Sequence, residues 1–197
     1  VYPEGGIGKN GFLNMMKFKT KGGKYIFSLK KGYRNIFDID IIREYSVKIY
    51  NLIQTIKKSK GVIFIFSEFL YSGLIPIALV LEHMGYKNYN QDFKLSVIKE
   101  KTPDKERDKI LKEFSEDIGS QLIMSMKILD EGIDIPKCNT GIFFANTKKE
   151  RQWIQRRGRI LRSYHSHDNY NLLKPAEETV NCKEDCKLFA DVYDVIV

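Results

Sequence analysis

Gly61-Val62-Ile63-Phe64-Ile65-Phe66-Ser67-Glu68 decides the fold class of this chain. Val62 to Phe66 is unbroken apolar sequence, rich in β-branched and aromatic side chains. A run without polar alternation predicts a strand buried on both faces, which is the habit of parallel sheets. Ser67 and Glu68 then fall at the strand's C-terminal end, where open α/β sheets bind their ligands.

Working outward, residues 46–58 carry Val47, Ile49, Tyr50, Leu52, Ile53 and Ile56 at helical spacing. Ser46 is the expected N-cap, Lys57 and Lys58 suit the negative end of the helix dipole, and Gly61 is the expected stop. Downstream, residues 74–84 predict a helix ended by Gly85, and residues 96–98 a short strand. Thr102-Pro103 reads as an N-cap and first helical position, followed by a buried stripe of Ile110, Leu111 and Phe114. Residues 121–126, 140–145 and 189–197 predict further strands. Strands alternating with helices from residue 46 onward predict an α/β fold, a parallel sheet flanked by helices. Residues 1–45 are glycine-rich and lysine-rich. They predict an irregular linker or crossover segment, with a short strand at residues 25–28. Gly8-Lys9 is not a phosphate loop, because the upstream glycine, the hydroxyl residue and the preceding strand are all missing.

After the strand at 140–145 comes Gln155-Arg156-Arg157-Gly158-Arg159-Ile160-Leu161-Arg162. Thr147 and Glu150 have the spacing of a capping box, which predicts a helix start. At about 100° per residue, Gln155, Arg159 and Arg162 share one face, with Trp153, Ile154, Ile160 and Leu161 on the packing side. Guanidinium groups are permanently charged planar forks that match phosphate oxygens. Gly158 leaves room for a backbone or ligand between them. On charge alone, a solvated basic face accounts for the same residues.

The 197 residues fit one domain with a short appendage, and the net charge of +8 favours a polyanionic partner. Three cysteines, an odd number, argue against a disulfide-stapled secreted module. No apolar run is long enough to span a bilayer. The N-terminus has neither a signal peptide nor an initiator Met, and the expectation is a piece of a longer, intracellular protein. Asp130-Glu131-Gly132-Ile133-Asp134-Ile135-Pro136 lies between two predicted strands. A magnesium-binding Asp-Glu pair would need a phosphate loop upstream. A loop in which Gly132 permits close approach and Asp134 accepts hydrogen bonds fits better; a plain polar turn is the simpler alternative.

MSMKILDEGIDIP (124–136) followed by QWIQRRGRILR (152–162) resembles motifs V and VI of superfamily 2 helicases, and GVIFIFSEF (61–69) resembles motif IV. The resemblance covers residues 46–162, with the closing strand near Val192. It implies a RecA-like parallel sheet, the second, C-terminal lobe of a helicase core, over residues 46–197 with a polar insertion at about 163–188. It implies that Arg159 and Arg162 act as arginine fingers on the γ-phosphate of ATP, with Gln155 beside the phosphates or the attacking water. Gly132 and Asp134 would contact the nucleotide ribose or couple its state to the strand. Ser67 and Glu68, and more weakly Lys127, would lie along the nucleic-acid backbone. ATP and Mg2+ would be bound mainly by an N-terminal lobe, since motifs I, Ia, II and III are absent here. This chain alone is therefore expected not to hydrolyse ATP.

Implied partners are nucleic acid, DNA in preference to RNA, and that N-terminal lobe, without a membrane. The stretch through Gly85 is similar to helicases of large DNA viruses. The stretch from Thr102 is similar to restriction and repair helicases of bacteria and phages, so viral or phage origin is part of the expectation. The alternatives are a non-catalytic nucleic-acid-binding module on the same fold, or the motor of a restriction system. His165, His167, Cys182 and Cys186 could ligate zinc. Their H-x-H…C-x3-C spacing matches no common zinc module, so the expectation is a loop without metal.

Overall fold

The computed structural model describes residues 2–21, 24–86, 105, 109, 121–126, 138–145, 149–161 and 191–194, and the α-helices and strands among them build the fold. They are α1 (Gly8–Met15), β1 (Met16–Lys21), β2 (Lys24–Leu29), α2 (Ile39–Tyr45), α3 (Val47–Lys58), β3 (Val62–Ser67), α4 (Ile75–His83), β4 (Gln121–Ser125), β5 (Cys138–Ala145), α5 (Glu150–Leu161) and β6 (Asp191–Asp194). The expected strand at 96–98 and the helix from Thr102 fall almost wholly outside the described residues.

β3 is an interior strand of a four-stranded parallel sheet in the order β4-β3-β5-β6. Its residues from Ile63 to Ser67 are all buried, as the unbroken apolar run requires. The pleat sends Ile63 and Ile65 to one face, where they join Ile142 and Phe144 of β5 and the apolar stripe of α3. Phe64 and Phe66 go to the other face, with Ile123, Phe143 and Ile160 of α5. Helices on both faces of a parallel sheet make this a RecA-like α/β fold.

α3 begins where Ser46 predicts, with the Ile49 N–H donating to Ser46 Oγ at 3.2 Å. It ends at Lys58, as the spacing predicts, but Gly61 is not what stops it. Ser59 already has extended backbone, and its N–H closes the last turn on the Thr55 and Ile56 carbonyls. Gly61, with φ +72°, instead makes the turn into β3. A Cβ there would lie 2.3 Å from Asn139 Oδ1, the atom that accepts the Val62 N–H at 2.8 Å. Gly61 thus lets the β5 side chain dock on the start of β3.

The irregularity expected of residues 1–45 is corrected by the structure, which has regular elements there. The strand at residues 25–28 is present as β2, but it pairs antiparallel with β1 in a separate two-stranded arm. α1 and α2 flank this arm in sequence. Phe12, Met15, Met16, Ile36, Phe37 and Ile42 are buried in the same core as α3 and α4. This explains why every residue of α4 from Ile75 to Leu81 is buried. One side of that helix meets the sheet's core and the other meets Ile36, Phe37 and Ile42 around a shared crevice. His83 Nε2 lies 2.7 Å from Asp38 Oδ1 and fixes the end of α4 to the start of α2.

Candidate nucleotide-facing helix

The strand order reverses between β3 and β5, because the chain leaves β3 for β4 on one side and later returns to its other side. Such a switch point opens a crevice beyond the strands' C-terminal ends. The Glu68 N–H closes part of it by donating to the Ala145 carbonyl at 3.2 Å.

α5 leaves this edge and runs back over the sheet. Trp153 packs edge-on against Phe143 with ring centroids 4.6 Å apart. A turn further on, the Arg156 guanidinium lies 4.4 Å from the Phe66 ring centroid and Nη1 donates to Glu68 Oε1 at 2.8 Å. Another turn on, Ile160 is fully buried against Gly141. A Cβ on Gly141 would come within 2.8 Å of Ile160 Cδ1, so this glycine sets how closely helix and strand approach.

The packing stripe is therefore Trp153, Arg156 and Ile160, which corrects the expected one. Ile154 and Leu161 remain 51% and 41% exposed, while Arg156 is only 4% exposed. Three positions spaced i, i+3, i+7 already fill the narrow seam over β3 and β5. Arg156 occupies the middle one because its flat cation stacks on Phe66 and its charge is met by Glu68. No periodicity argument would have chosen an arginine. The detectable signal was the pair itself, an acidic residue ending a buried strand and a second arginine within the basic helix.

On the other side of α5, Gln155 is exposed, Arg159 is half-buried, and Gly158 has open space where a side chain would stand. Gln155 and Arg159 are brought together on one face as the helical spacing predicts. Arg162, Gly132, Asp134, Lys127, His165, His167, Cys182 and Cys186 lie outside the described residues. Among the described residues no group of three or more His, Cys, Asp or Glu side chains could hold a metal ion.

The two motif IV residues are held by the fold itself. Ser67 is fully buried, and its hydroxyl both accepts from the Phe69 N–H and donates to the Phe69 carbonyl, each at 3.2 Å. It pins the turn after β3, and Gly73 packs so closely that a Cβ would sit 2.3 Å from that Oγ. Glu68 is committed to Arg156 and, being an anion, is unsuited to meet a phosphate. Both residues build the edge of the sheet.

The arrangement is a RecA-like sheet with a basic helix packed along one face. The comparisons agree: the Helicase conserved C-terminal domain family matches residues 47–164, more than half of the chain, and the chain belongs to that family, as a superfamily 2 C-terminal lobe. Among curated proteins it is 35% identical over 79 residues to the DNA 3'-5' translocase XPB2 of Sulfurisphaera tokodaii, covering 40% of this chain and 18% of that one. It is 39% identical over 64 residues to the putative ATP-dependent RNA helicase R563 of Acanthamoeba polyphaga mimivirus, covering 30% and 11%. It is 30% identical over 77 residues to the endoribonuclease Dicer of Danio rerio, covering 39% and 4%. The chain thus spans less than a fifth of the length of these relatives. Among solved structures, the C-terminal part of the Fun30 ATPase domain aligns with a TM-score of 0.46 and 21% identity, over 58% of this chain and 36% of that one. No described helix is long and apolar enough to cross a membrane.

Proposed function

We propose that this chain is the second motor lobe of an ATP-dependent superfamily 2 helicase or translocase, working inside the cell on nucleic acid and against a first lobe that binds ATP and Mg2+. The reading is supported by the match of the Helicase conserved C-terminal domain family over residues 47–164 and by α5, where Arg156 packs in the seam with the sheet while Gln155 is exposed, Gly158 has open space beside it and Arg159 is half-buried. Arg159, with Arg162 one turn on, would reach the γ-phosphate across the interlobe cleft and stabilise the charge that builds in phosphoryl transfer. Gln155 would orient the phosphates or the attacking water. The donors fit a triphosphate; the metal would be held by the nucleotide and the first lobe. Gly132 and Asp134 would relay nucleotide state to the strand, with Lys127 at its phosphates. Residues 46–197 would form the lobe and residues 1–45 lead into it from the first lobe. We favour DNA as the track, in line with the relative described as a DNA 3'-5' translocase, which matches 40% of this chain.

The test is Arg159→Ala in a protein containing both lobes, with strand-stimulated ATP hydrolysis compared on DNA and RNA oligonucleotides. An arginine finger is worth about 10³–10⁵ in turnover, so stimulated hydrolysis should vanish while ATP binding persists. Unchanged turnover would instead favour a non-catalytic binding module.

A further inference from the structure

The charge of this chain is not spread over it. Residues 5–37 contain eight lysines and arginines and no aspartate or glutamate. The remaining 25 cations are matched by 25 anions, so the net +8 is the charge of this one segment. Basic composition from nucleotide bias would have spread the excess along the chain. The segment includes the β1–β2 arm, which stands apart from the main sheet.

The register of the arm sorts its residues onto two faces. Lys17 lies opposite Ser28, and Lys19 opposite Ile26; Phe18 lies opposite Phe27, and Met16 opposite Leu29. Phe27 packs edge-on against Phe12 with centroids 5.3 Å apart, and Met16 is buried, so that face roots the arm in the core. On the other face Lys17, Lys19, Ile26 and Ser28 are all exposed. Among the described residues neither Lys17 nor Lys19 has an acidic partner, in contrast to Arg156. Two other cations of the segment are already engaged, Lys30 with the Leu13 carbonyl and Lys9 over the Tyr71 ring. Lys17 and Lys19 stand about 7 Å apart along the strand, from two residues of antiparallel rise. That is twice the axial spacing of about 3.4 Å between phosphates on one strand of a duplex.

We propose that the solvent face of the β1–β2 arm, through Lys17 and Lys19, is a second nucleic-acid contact that grips backbone phosphates. It lies outside the motifs of the motor lobe and outside the segment that the family matches. Exposed lysines on a rooted, anion-free hairpin are point charges for phosphate oxygens and carry no sequence preference. The contact would hold the strand independently of the nucleotide, adding to whatever grip the motif loops supply. It rests on the reading of this protein as acting on nucleic acid, but not on the roles given to Arg159 or Arg162.

The test is binding of the chain to a fluorescein-labelled oligonucleotide, without nucleotide, across a salt series. Lys17→Gln/Lys19→Gln is compared with wild type and with Lys57→Gln/Lys58→Gln, two exposed lysines at the end of α3. Removing two phosphate contacts should flatten the slope of log K against log salt by about 1.4 on single strands and 1.8 on duplex. Between 50 and 200 mM salt the wild type should then lose about sevenfold to twelvefold more affinity than the arm variant. The α3 variant should keep the wild-type slope. An unchanged slope in the arm variant, or an equal flattening in both, would overturn the proposal. Thermal unfolding at the wild-type temperature would show that the arm variant is folded. The ATPase result for Arg159→Ala is independent of this outcome, so either reading can fail alone.

Discussion

Substituting the two ends of the Arg156–Glu68 pair should reveal how α5 is held on the sheet. The contact is a charge-assisted hydrogen bond of 2.8 Å between a side chain 5% exposed and one 33% exposed. Bonds to charged groups contribute about 1.5–3 kcal/mol, and water reaching the Glu68 carboxylate screens the pair towards the lower end. We therefore expect a coupling energy of about 1.5–2 kcal/mol. The stacking of Arg156 on Phe66 belongs to Arg156 alone and drops out of the coupling. The assay is urea unfolding of wild type, Glu68→Ala, Arg156→Met and the double variant. Glu68→Ala should be the more damaging single change, because it leaves a cation in a buried seam, whereas Arg156→Met keeps apolar volume on Phe66 and leaves a carboxylate that water can solvate. If the two single effects simply add, within about 0.5 kcal/mol, the pair does not hold the helix and the reasoning fails.

Gly141→Ala pushes a methyl to 2.8 Å from Ile160 Cδ1, and Ile160 is fully buried with little room to yield. Overpacking of this kind costs about 1–3 kcal/mol; thermal unfolding should show the loss, and an unchanged midpoint would mean that α5 is free to shift. Ser67→Ala removes both hydroxyl bonds of the turn after β3 and should cost about 1–2 kcal/mol in urea unfolding, while leaving oligonucleotide affinity untouched. A drop in affinity without loss of stability would instead support the strand-contact role that the resemblance implies. Burial pushes the Tyr2 phenol well above its ordinary range, and its hydroxyl donates to the Tyr71 carbonyl. The folded state favours the protonated phenol, so its contribution is whole below about pH 10 and is lost as pH rises further. Tyr2→Phe should therefore make the urea midpoint fall less steeply above about pH 10; parallel curves for the two proteins would contradict this.

Much of the sheet was legible in the sequence because its strands are short, apolar and buried on both faces, as Val62–Ser67 and Cys138–Ala145 are. α3 was legible because Ser46 caps a clean apolar stripe. Two things were hidden, for different reasons. In the arm of Met16–Lys21 and Lys24–Leu29 the first strand has lysines at every second place, and the Gly-Gly between the strands was read as looseness, when alternation around a two-glycine break is itself a hairpin signal. The burial of Arg156 was hidden because helical period assigns a direction to a residue but says nothing about whether an anion waits there. That Gln155 and Arg159 share one helix face depended only on period, and so was readable.

α4 has no wettable side: its residues from Ile75 to Leu81 are shielded, in part by residues that precede the stretch shared with the helicase family. The smallest portion able to stay dispersed in water is therefore larger than the family boundaries suggest. A recombinant piece trimmed to begin at Val47 would bare a greasy rod and clump, although every recognisable motif would still be aboard.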